Sequence, residues 1–74
     1  MTSNDIKYLT EGICKDITGY LKEEYGLSIT EALDFLYNSA TYEKLINPAT
    51  GLYFQGSKYV YSFLKNEMET GRIA

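Results

Sequence analysis

The chain has 74 residues, with eight tyrosines, one cysteine, no histidine or tryptophan, and a net charge of −3. That length allows one domain, 1–74, with a thin core, and a single cysteine excludes an internal disulfide staple. The acidic balance disfavours nonspecific binding to nucleic acid or anionic membrane, and the missing histidine removes the commonest general base and neutral metal ligand.

Ile6, Leu9, Ile13, Ile17, Tyr20 and Leu21 recur at helical spacing and predict a long amphipathic first helix. Asn4 or Asp5 is placed to cap its start, and Gly26 to end it in the left-handed conformation. Gly12 and Gly19 share one flank with Tyr8. Each glycine costs a helix interior about 1 kcal/mol relative to alanine, so the pair reads equally as close approach by another helix or as tolerated slack. Cys14, at the edge of the apolar stripe, reads as a small hydrophobe.

Ser28-Ile-Thr-Glu31 is a capping box and opens a second helix running to about Asn38. Its inner face is expected to hold Ile29, Ala32, Leu33, Leu36 and Tyr37, with Phe35 to the side. Ser39 or Thr41 can cap a short third helix containing Tyr42, Leu45 and Ile46, which Pro48 closes because the residue before proline leaves helical geometry. Residues 47–51 read as a turn and 52–55 as extended loop. Ser57 is expected to cap the last helix, which presents Val60, Phe63, Leu64 and Met68, with Tyr59 and Tyr61 to either side and Gly71 as terminator. Glu67 falls on the apolar side of that helix, where a carboxylate needs a partner or an exposed position. The order predicts an all-α compact bundle of about four helices with an extended loop before the last.

No nucleophile–base pair is evident, so the sequence predicts no catalytic residue, no cofactor and no metal site. A helix-turn-helix built from helices two and three would present Glu31, Asp34 and Glu43 against Lys44, the wrong sign for a groove-entering element, so no nucleic-acid partner is expected. No apolar run reaches the length of a membrane span, and the N-terminus does not read as a secretory signal. A lone cysteine suits a reducing compartment, which points to the cytoplasm.

Two surfaces are expected to bind. Tyr53, Phe54, Tyr59 and Tyr61 are more aromatics than one loop-helix corner needs for its own core. They divide between plugging the open end of the bundle and contacting a protein partner. The start of the last helix is the alternative: free N–H groups there, with Gln55, Ser57 and Lys58, can hold a small anion or nucleotide, against ordinary capping.

Leu-Thr-Glu-Gly-Ile-Cys (9–14), Glu-Ala-Leu-Asp (31–34), Leu-Tyr-Asn-Ser (36–39) and Thr-Gly-Leu-Tyr-Phe-Gln (50–55) resemble a group of short, uncharacterised bacterial all-helical proteins. Small reading frames of that kind often accompany toxin–antitoxin-like gene clusters, so the resemblance implies a binding or neutralising role. With composition and motifs, it sets one expectation: a regulatory or antitoxin-like interaction module that self-associates or docks on a protein through 52–61.

Overall fold

A computed structural model describes residues 3–70. Four helices are formed: α1 (Ser3–Tyr25), α2 (Ile29–Tyr37), α3 (Ala40–Ile46) and α4 (Ser57–Thr70), with no strand among the described residues. The expected all-α bundle is what the chain forms. Gly71, expected to terminate α4, lies outside the described residues.

α1 is already helical at Ser3, ahead of the expected Asn4 or Asp5 cap. Its length of about 34 Å matches the longest dimension of the molecule, 35 Å. It is the spine against which α2, α4 and the turn before α4 pack, while α3 packs on α4. Gly26 ends α1 with φ at +67°, where a side chain would be strained, and its N–H donates to the Lys22 carbonyl at 3.0 Å. Two residues later the capping box forms. The Glu31 N–H donates to Ser28 Oγ at 3.1 Å, and the Ser28 N–H donates to Glu31 Oε1 at 3.0 Å. That second bond, with the Ser28 side chain beside it, holds the Glu31 carboxyl below the usual carboxylate range. Ser39 caps α3, accepting from the Tyr42 N–H at 3.0 Å while donating to the Leu36 carbonyl at 2.6 Å.

Residues 52–55 are not an extended loop. Two successive 3-10 turns, Pro48–Thr50 and Leu52–Phe54, occupy the connection, joined by Gly51 at φ +69°. An isolated extended segment has no strand to receive its N–H groups. Here Gly51 donates to Pro48, Phe54 to Gly51 and Gln55 to Leu52, all at 3.0–3.1 Å. The tight winding also turns Leu52 into the core.

Each helix buries residues one turn apart. Ile13, Ile17 and Leu21 come from α1, Ala32 and Leu36 from α2, Thr41 and Leu45 from α3, and Val60 and Leu64 from α4. Cys14 closes one edge, and burial, with Glu11 nearby, pushes its thiol up and keeps it protonated. No heavy atom lies within 4 Å of where a Cβ would sit on Gly12 or Gly19, so within the chain these glycines serve no close approach.

The inner face of α2 is narrower than its apolar pattern. Ala32 and Leu36 are buried, Leu33 is half-buried, and Ile29 and Tyr37 are 55% and 52% exposed. A nine-residue helix packed on α1, and at its end on α3, covers a strip about two side chains wide. The remaining apolar positions are left at the surface.

Candidate protein-contact surface

The aromatic residues around the second 3-10 turn separate into three environments. Tyr61 is buried, with its ring 5.1 Å from that of Tyr20, and its hydroxyl donates to Glu24 Oε2. Burial, and then that hydrogen bond, push its ionisation well above the usual tyrosine range. It belongs to the core, which corrects its place among the expected contact residues. The reason is register: Tyr61 follows Val60 on the flank of α4 that lies against α1, and its hydroxyl ends at the Glu24 carboxylate. Tyr53 is half-buried, packed on the core and 5.9 Å from the Phe54 ring. Phe54 is 69% exposed. Tyr59 is half exposed and stands edge-on to Phe63, with centroids 5.1 Å apart.

Phe54 does not stand alone. Tyr8 on α1, the most exposed large apolar side chain among the described residues at 76%, borders the same shallow groove of about 470 Å³. Leu9, Gly12, Ile13 and Tyr53 form its floor and sides, with Asp16 and Ser57 at one end. Two large rings flank an apolar trough whose base is opened by a glycine. The geometry suits an inserted side chain or helix edge, since rigid rings give large contact area at little entropy cost. Tyr8 was not among the expected contact residues. Its signal was present in the sequence as an aromatic off the buried stripe, on the flank shared with Gly12.

The residues of the alternative anion site do not converge. Ser57 is the first residue of α4 and its hydroxyl donates to Asp16 Oδ2 at 2.5 Å, which places a carboxylate of the chain at that helix start. Gln55 is exposed and its backbone N–H is used by Leu52. Lys58 lies instead along a cleft with Glu23 and Glu24. An incoming anion would meet Asp16 before it met a lysine.

Glu67 is also accounted for. Its Oε1 accepts from the Thr41 N–H at 3.0 Å and from Thr41 Oγ1 at 2.8 Å, and Oε2 accepts from the Ala40 N–H at 2.9 Å. Partial burial alone would raise this carboxyl, but the three hydrogen bonds outweigh it and the net shift is downward. It caps α3 from across the molecule. Among the described residues no three His, Cys, Asp or Glu side chains gather as a metal site, and no helix is long and apolar enough to cross a membrane. Compared with family models, with curated proteins and with solved structures, the chain finds no match.

Proposed function

We propose that this chain is a small protein-interaction module, regulatory in role and antitoxin-like in the sense its motifs imply, and that it docks on a protein partner at the corner formed by Tyr8, Gly12, Tyr53 and Phe54. The observation that carries the reading is the pairing, across one apolar trough, of the two large apolar side chains most exposed among the described residues. Leaving both in water costs the monomer roughly 2 kcal/mol or more of unrealised burial, which a partner recovers on contact. Tyr59, half exposed on α4, does not line this trough, and Tyr61 is buried against α1. A single buried, protonated thiol is compatible with work in a reducing compartment, and the cytoplasm is the proposed location.

The test is affinity capture from the native host with wild type and with a Tyr8→Ala, Phe54→Ala double variant. The expected result is a partner retained by wild type and lost by the variant, whose helical circular dichroism is unchanged because both residues are exposed. Partner retention indifferent to both substitutions rejects the corner as the docking surface. The anion-binding alternative has no observation in its favour.

A further inference from the structure

A second apolar surface lies on the opposite flank of α1. Ile29, Leu33 and Tyr37, at i, i+4 and i+8, form a ridge along α2 that the chain itself leaves partly or largely exposed. Between this ridge and α1 runs a groove of about 710 Å³, whose floor includes Cys14, Thr18 and Tyr42. The α1 rim carries Lys15 and Lys22, with Glu11 the one acid beside them, in a protein of net charge −3. Neither lysine has an ion-pair partner among the described residues; the one salt bridge there joins Lys65 to Glu24. Asp34 is exposed on the outer flank of the α2 ridge, one position beyond Leu33.

From this arrangement we infer that the chain forms a two-fold homodimer through the α1–α2 face, each copy laying its Ile29–Leu33–Tyr37 ridge in the groove of the other. A two-fold contact requires one surface to be complementary to itself, carrying ridge and recess together. This face does, and its charges match: the lysine rim is on the α1 side and the carboxylate on the α2 side. With the two α2 helices antiparallel, Lys15 and Lys22 of one copy face Asp34 of the other. Such rim pairs set register more than they add affinity, and the apolar ridge supplies the main attraction. The face lies away from the Tyr8–Phe54 corner, so a dimer leaves two corners open for the partner proposed above.

Analytical ultracentrifugation of the full chain is the test. Wild type is expected to sediment as a dimer at micromolar concentration, and Ile29→Asp as a monomer. That substitution puts a carboxylate at the first residue of α2, where the helix N-terminus favours it, so the fold is retained. Lys15→Glu and Asp34→Lys are each expected to weaken dimerisation about tenfold, and the double exchange to restore it. Tyr8→Ala with Phe54→Ala is expected to leave the dimer intact, which separates this inference from the docking role of the corner. A wild type that stays monomeric at millimolar concentration overturns the proposal. So does a dimer indifferent to Ile29→Asp and to both charge reversals.

Discussion

Tyr61 shows how little residue type decides before the fold is built. The same phenol ring that would anchor a partner at the surface here fills the seam between α1 and α4, against Tyr20. Removing only its hydroxyl, as Tyr61→Phe, gives up the bond to Glu24 and is expected to cost about 1 kcal/mol. Removing the ring, as Tyr61→Ala, is expected to cost about 3–5 kcal/mol, enough to unfold most of so small a domain. Urea denaturation of the two variants checks both values; similar small losses would return Tyr61 to the surface. Phe54, seven positions earlier, is expected to behave oppositely, since its ring is mostly in water and little burial is lost with it.

At the scale of elements, α3 is the least self-sufficient part. Seven residues are too few to hold a helix in water, and its first two N–H groups are satisfied by a side chain of α4. Glu67→Ala is expected to cost about 1–2 kcal/mol and to speed amide exchange in α3 before it does so elsewhere. The pH dependence has a definite sign. The folded state holds the Glu67 carboxyl below its ordinary value of 4.5. Its contribution is therefore complete above that value and is lost as acid carries the pH down through the folded one. Thermal melts of wild type and Glu67→Gln on either side of that range check this: the difference between them should shrink at the acid end. The elements themselves were largely legible. The capping box at Ser28, the left-handed Gly26 and the cap at Ser39 are local patterns, and local patterns can be read from neighbouring letters. The Glu67–Thr41 and Asp16–Ser57 bonds join residues 26 and 41 positions apart, which no local pattern reports. The turn at 47–51 is legible from its proline and glycine, whereas the 3-10 turn at Leu52–Phe54 reads as extended chain because no period of either kind shows in three residues.

For the molecule as a whole, the surplus of apolar surface is the dominant fact. The four helices share one slender core, and Ile29, Tyr37, Phe54 and Tyr8 remain at least half exposed around it. Apolar spacing identified α2 as amphipathic, but it could not say how wide a strip its neighbours would cover, so the exposed ridge was invisible before the packing was known. Of the proposed corner, Tyr53 and Phe54 were legible in the sequence and Tyr8 was not, because α1 and the turn meet only in space. A dimer across the α2 ridge ties stability to concentration. Each tenfold rise in protein should lift the thermal midpoint by about 3–5 °C, and calorimetry over two decades of concentration measures it. A midpoint that does not move would mean each chain folds alone.

The bond from Glu67 to the start of α3 also orders events during synthesis. Ala40 and Thr41 leave the ribosome well before residue 67 does, and until then their N–H groups have only water to meet. The nascent chain can wind α1 and α2 as they emerge, but its middle stays unset until nearly the last turn of α4 is free of the exit tunnel. Stalling translation with residues 40–46 clear of the tunnel and Glu67 still inside it should leave them open to protease, and a longer stalled chain, extended by a linker that carries Glu67 out of the tunnel, should close them.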